Sequence, residues 1–254
     1  MDFIVIICAI FIGLSLGLFG SGGAILTLPM LIYVIGYEEK LAVITSLLIV
    51  AAISFIASFA NWKNRLINAK LLGLFALPGL IGSYLGAYLG SQSEPLLQLL
   101  LLAIVIILAA SKMLYFQPSE NQLVQIDSVK LALVGLIVGA ITGFVGVGGG
   151  FLIVPALLIF GRLDFKRATA TSLTLITIQS SVALYSYSQH ASTIFVMVDW
   201  MFVVIFVLAG VLGTHLSTWL KPKLNQAILS KMFAYFLLLM ASFILVDKFA
   251  ALMI

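Results

Sequence analysis

The run Gly13-Leu14-Ser15-Leu16-Gly17-Leu18-Phe19-Gly20-Ser21-Gly22-Gly23 is followed by Pro29 and recurs as Gly139-Ala140-Ile141-Thr142-Gly143-Phe144-Val145-Gly146-Val147-Gly148-Gly149, followed by Pro155. Every position is displaced by 126 residues in a chain of 254. Long apolar runs flank both copies. A glycine cluster inside an apolar run predicts an interrupted helix, since glycine turns sharply without a Cβ in the way. Two halves with the same interruption in the same place predict a membrane protein built on a duplicated unit, of the kind whose solute site lies where the two breaks meet.

Composition supports a bilayer as the solvent. The chain is 63% hydrophobic and 9% charged, with mean hydropathy +1.25. The apolar stretches do not alternate as barrel strands do, so the expected fold class is an all-α polytopic membrane protein. The net charge of +4 is spread between apolar runs, which excludes a nucleic-acid footprint. Cys8 is the single cysteine and reads as a small buried hydrophobe. Two histidines and one cysteine offer no metal-site spacing, and no cofactor is expected. Asp2 rather than a basic region precedes the first apolar run, so residues 3–19 are expected to be a retained helix.

Ten segments are expected, at residues 3–19, 23–35, 41–60, 69–89, 95–113, 129–145, 149–160, 166–187, 198–219 and 226–246. Residues 1–114 form repeat one and 128–254 repeat two of a single transmembrane domain, joined by a polar cytoplasmic linker at 115–127. The segments after each glycine cluster are short for a bilayer, which points to broken or re-entrant helices. Ten crossings starting outside place 11 of the 13 Lys and Arg on the cytoplasmic side: Lys63, Arg65, Lys70, Lys112, Lys130, Arg162, Lys166, Arg167, Lys221, Lys223 and Lys231. The positive-inside rule therefore puts both termini outside the cytoplasm and inverts one repeat relative to the other. A rival count, with each short segment returning to its own side, gives eight spans and parallel repeats.

The candidate site follows from the duplication. Gly20, Gly22 and Gly23, with Gly146, Gly148 and Gly149, precede short helices whose free N–H groups and dipoles favour an anion. The competing reading is close helix packing. Pro29 and Pro155 each remove a backbone hydrogen bond and are expected to help break or re-aim those helices. Thr45-Ser46-Leu47 recurs as Thr171-Ser172-Leu173 at the same offset, and these hydroxyls can donate to an oxyanion or bond to their own helix. Ser54 and Ser180 also match, and Gln179 is a buried amide. His215 is a candidate for proton coupling, and His190 reads as part of an external loop. Gly82, Gly86 and Gly90, and the small residues from Gly210 to Ser217, read as packing faces. No paired carboxylates, Ser-His-Asp set or nucleophile elbow is present, and an enzyme is not expected. No phosphate-binding GxxxxGK[ST] occurs, so a carrier of this kind would run on solute or ion gradients.

The two glycine motifs, taken with the paired Thr-Ser-Leu elements, resemble those of the sulfite exporter family, the TauE/SafE-like permeases. The resemblance covers nearly the whole chain. It implies a secondary carrier in the inner (cell) membrane for a small sulfur-containing anion such as sulfite or a sulfonate. The expected partners are that anionic solute, the lipid bilayer and a second copy of the chain in a homo-oligomer. The copies differ at Ser21 against Val147 and at Ala24 against Gly150. The residues alone leave open a carrier or channel for another small anion or a neutral metabolite, and a non-transporting membrane scaffold.

Overall fold

In a computed structural model, the described residues are 3–115, 127–147, 150–190 and 196–252. The helices are α1 (Phe3–Phe19), α2 (Gly22–Tyr33), α3 (Glu39–Lys63), α4 (Ala69–Gln92), α5 (Pro95–Tyr115), α6 (Ser128–Val145), α7 (Gly150–Ile159), α8 (Phe165–His190), α9 (Trp200–Leu220) and α10 (Gln226–Leu252). A short 3-10 turn, Lys221–Lys223, links the last two. All ten coincide with the expected segments to within a few residues at their starts. Residues 116–126 of the linker lie outside the described residues.

Local chemistry sets the helix starts. Asn68 caps α4 by accepting from Leu71 N at 3.1 Å, and Asp127 caps α6 by accepting from Val129 N at 3.1 Å. Asp164 accepts from Arg167 N at 2.7 Å before α8, and Asp199 from Phe202 N at 3.0 Å in α9. Each short polar side chain satisfies an N–H that the first helical turn leaves free.

Among the described residues, six helices are long and apolar enough to cross a membrane: α3, α4, α5, α6, α9 and α10. The other four fall short of that measure for identifiable reasons, two of them, α2 and α7, as the sequence predicts. α1, α2 and α7 are short because the glycine breaks end or begin them. α8 has 26 residues but carries nine hydroxyl-bearing Ser and Thr together with Gln179, which lowers its apolarity. Large apolar side chains cover the outside, among them Phe3, Phe59, Leu77 and Leu108. Such a surface is stable only against lipid or another protein.

The two halves interlock. α4 packs along α6, α9 along α1, and α3 crosses α8. Small residues let these backbones touch. A Cβ at Gly86 would collide with the Ala140 carbonyl, and one at Gly139 with the Gly79 carbonyl. In the other pair, a Cβ at Gly13 would strike the Gly210 carbonyl, and one at Gly213 the Ile10 carbonyl. These are the expected small-residue faces, each pairing a helix of one half with a helix of the other.

Candidate functional site

Each glycine break is a helix end in left-handed conformation. Gly20 has φ +70° and Gly146 φ +73°, and their N–H groups close the last turns of α1 and α6 on Leu16 O (2.7 Å) and Thr142 O (3.0 Å). Glycine takes that conformation without the penalty a side chain brings. After Gly20 the chain folds back, since Gly23 lies against the Ile12 carbonyl and Leu16 Cβ. α1 and α2 thus form a hairpin with its tip at residues 20–22. The two tips meet: a Cβ at Gly150, the first residue of α7, would stand 2.8 Å from Ser21 Cβ.

The Thr-Ser elements hold the tips reciprocally. Ser46 Oγ on α3 reaches Gly146 O at 2.9 Å as well as Val43 O at 2.8 Å. Ser172 Oγ on α8 reaches Gly20 O at 2.8 Å as well as Thr169 O at 2.9 Å. Each serine bonds the tip of the opposite half. Thr171 Oγ1 accepts from Asn68 N at 3.4 Å, whereas Thr45 Oγ1 is buried with no partner among the described residues. Ser54 Oγ and both amide atoms of Gln179 are likewise buried and unpaired. Gly22 begins α2. Gly148 and Gly149 lie outside the described residues.

The prolines and His190 depart from the sequence expectation. Pro29 and Pro155 do not break their helices, because α2 continues to Tyr33 and α7 to Ile159. One lost hydrogen bond is absorbed, and the interruption belongs to the left-handed glycines. His215 is exposed on α9 beside Leu212 and Leu216 and lines neither cavity described below, so the fold gives it no contact with the tips. His190 is the last residue of α8 rather than a loop residue, with Nδ1 2.8 Å from Ser186 O and its ring against Tyr88.

The two sides of the tips differ. Next to the Gly20 tip is a cavity of about 670 Å³ lined by Asn61, Asn64, Phe165, Lys166, Thr218 and Lys221 with three leucines. Lys221 Nζ donates to Thr169 Oγ1 at 2.7 Å and lies 3.5 Å from Gly17 O. Thr169 in turn touches Gly20, its Cα and Cβ lying 2.6 and 2.7 Å from where a Gly20 Cβ would be. Burial, and then the charge of Lys166, lower the Lys221 pKa to about 8.

Next to the Gly146 tip the space between α2, α3, α5 and α6 is only about 10 Å³. Tyr187, at the 126-residue offset from Asn61, is 1% exposed and fills this side. Its hydroxyl donates to Phe144 O at 3.3 Å and accepts from Gln98 Nε2 at 3.1 Å. Gln98 Nε2 also donates to Gly90 O (2.9 Å) and Phe144 O (2.6 Å). Lys40, at the same offset from Lys166, spends its ammonium on Gly90 O (2.6 Å) and Ser93 O (2.7 Å). Sequence reasoning missed Lys221, Gln98 and Tyr187. Lys221 reads there as an ordinary cation at a segment end, and the offset between Asn61 and Tyr187 was the one available signal for the contrast.

A family model described as Sulfite exporter TauE/SafE matches residues 5–244. The chain belongs to the TauE/SafE family. It is 30% identical over 250 residues to a "Probable membrane transporter protein" of Xylella fastidiosa, covering 95% of this chain and 94% of that one. It is 31% identical over 196 residues to a protein so named from Methanocaldococcus jannaschii, covering 72% and 71% of the two. A third, from Bacillus subtilis, is 25% identical over 251 residues, covering 91% and 96%. No solved structure gives a significant match. This TauE/SafE chain is therefore a multi-pass membrane transporter. Among the described residues no group of three or more His, Cys, Asp or Glu could hold a metal ion.

Proposed function

We propose that this protein is a secondary carrier of a small sulfur-containing oxyanion, such as sulfite or a sulfonate, at the meeting point of the two glycine tips. The sulfur chemistry comes from the family description, Sulfite exporter. The observation that carries the anion reading is the convergence of Ser21 with Gly150, which brings the N-terminal ends of α2 and α7 together. Two helix N-termini aimed at one place favour negative charge. Buried hydroxyls on α3 and α8 supply further donors nearby.

The reading extends to topology. Residues 1–114 and 128–254 are inverted repeats in the cell membrane, with both termini outside and the 115–127 linker in the cytoplasm. On that orientation the cavity beside Lys221 faces the cytoplasm, and the side plugged by Tyr187 and Gln98 faces out. The contrast of about 670 Å³ against about 10 Å³ across the tips is what an inward-open carrier presents. Closing one side and opening the other would exchange the roles of the paired elements.

The test is flux of radiolabelled sulfite and a labelled alkanesulfonate in proteoliposomes. Saturable counterflow is expected. Full, correctly inserted protein that moves neither anion would remove the proposal.

A further inference from the structure

We infer that the cavity beside the Gly20 tip holds a binding subsite for a small oxyanion, formed by Lys221 and Lys166 and placed one residue ahead of the tip. This deepens the anion-transport reading, on which it rests for what happens to the anion afterwards.

The charge arrangement points to the ligand. The cavity lining contains two cations, Lys166 and Lys221, and no carboxylate. Asp164, two residues before Lys166, uses a carboxylate oxygen to cap α8 on Arg167 N at 2.7 Å. The partners of the Lys221 ammonium are a hydroxyl and a carbonyl, which orient it without neutralising it. Two like charges sharing a partly enclosed space repel, and the cost rises as water is excluded. Burial and the neighbouring Lys166 already loosen the Lys221 proton. A mobile anion between them removes both penalties.

The remaining lining selects among anions. Asn64 carries an amide NH2, and Asn61 keeps a second amide N–H beside the one given to Ala57 O at 3.1 Å, while the Thr218 hydroxyl is committed to His215 O at 2.7 Å; a ligand with several acceptor oxygens satisfies more of this wall than a halide does. The volume of about 670 Å³ leaves space for water or for the organic part of a sulfonate. The subsite adjoins the tip, because Thr169 links the Lys221 ammonium to Gly20. It is one-sided, since Lys40, the counterpart of Lys166, is committed to the carbonyls of Gly90 and Ser93.

A lipid phosphate shares this chemistry, so the test separates the two sources. The full-length protein in phosphatidylcholine nanodiscs is acetylated briefly near pH 8, where a lysine titrating at about 8 reacts readily. Labelling of Lys221 is compared with that of exposed Lys63 by peptide mass spectrometry, with methanesulfonate as probe and chloride at equal ionic strength as control. Saturable protection of Lys221 of about fivefold or more is expected, with Lys63 unchanged. In parallel, thermal stabilisation by methanesulfonate should survive in Lys221→Arg and weaken about tenfold or more in Lys221→Gln and Lys166→Gln. Equal labelling with and without the probe, or equal protection by chloride, overturns the subsite. Protection that appears only when phosphatidylglycerol is added overturns it in favour of a lipid headgroup. The assay is at equilibrium, so its failure beside intact liposome flux removes the subsite alone. Protection without flux removes the transport reading alone.

Discussion

The hydroxyl of Ser46 lies 2.9 Å from the carbonyl oxygen of Gly146, across the boundary between the two halves. Ser172 holds Gly20 in the same way at 2.8 Å. Each break in one half is thus fastened by a serine of the other. Ser46→Ala or Ser172→Ala should each lower stability by about 1 kcal/mol, the usual net worth of one hydrogen bond. Gly146→Ala should cost distinctly more, because an alanine Cβ there meets Val43 and the left-handed conformation adds about 1–2 kcal/mol. Thermal melting in detergent checks the order; equal losses for all three would contradict it.

The packing faces give a second contrast. Gly86→Ala places a methyl group on the Ala140 backbone, while nothing lies within 4 Å of a Cβ at Gly73. The first should destabilise by about 1–3 kcal/mol through overpacking. The second should be neutral or stabilise by up to about 1 kcal/mol through helix propensity. Size-exclusion profiles and melting curves of the two variants read the difference.

Gln179 is 1% exposed and neither amide atom has a hydrogen-bond partner among the described residues. An unpaired buried amide costs about 1–3 kcal/mol. Gln179→Met keeps the shape and removes the cost, so the empty protein should melt higher. A lower melting temperature would show that the amide has a water or solute partner.

Lys221 sets a pH signature. Lys166 of α8 shares the cavity with Lys221, and after burial its charge is the one that lowers the Lys221 pKa. With its pKa lowered from 10.5 to about 8, Lys221 is mostly cationic below pH 8 and neutral above. Anion affinity should therefore hold below about pH 8 and fall above it, by up to about tenfold per unit. The sign for folding is opposite. The unfolded chain binds this proton more tightly, so the empty protein gains stability as pH rises from about 8 towards 10.5. Lys221→Arg should flatten the affinity profile; binding titrations across this range test it.

The plugged side can be loosened. Gln98→Ala removes the donor that ties Gly90, Phe144 and Tyr187 together. In a Cys8→Ser background, Leu99→Cys should become reactive to an impermeant thiol reagent added outside when Gln98→Ala is present. Unchanged protection would show that this cluster does not seal the outer side.

The helices and their breaks were legible because both signals are local. Apolar runs set the helix extents, and the glycines at 20 and 146 mark the turns that only a residue without a Cβ takes easily. The serine fastening was not legible. Ser46 also bonds Val43 O, which is the ordinary behaviour of a helical serine, and only the fold reveals its second acceptor. Pro29 misled because a proline signals a lost hydrogen bond but not whether the helix survives it. Lys221 was hidden for another reason: its burial depends on α1 and the first turn of α8 closing over it, elements far from it in the chain.

The interlocked backbones bear on how the protein is made. α1 is synthesised well before α9, yet the notch at Gly13 and Gly17 fits that helix. α4 waits in the same way for α6. A nascent first half therefore emerges with two backbone-deep grooves and nothing to fill them, and its assembly waits for helices of the second half. Neither half can mature as an independent intermediate, so a truncated product presents those grooves to the cell's membrane quality control.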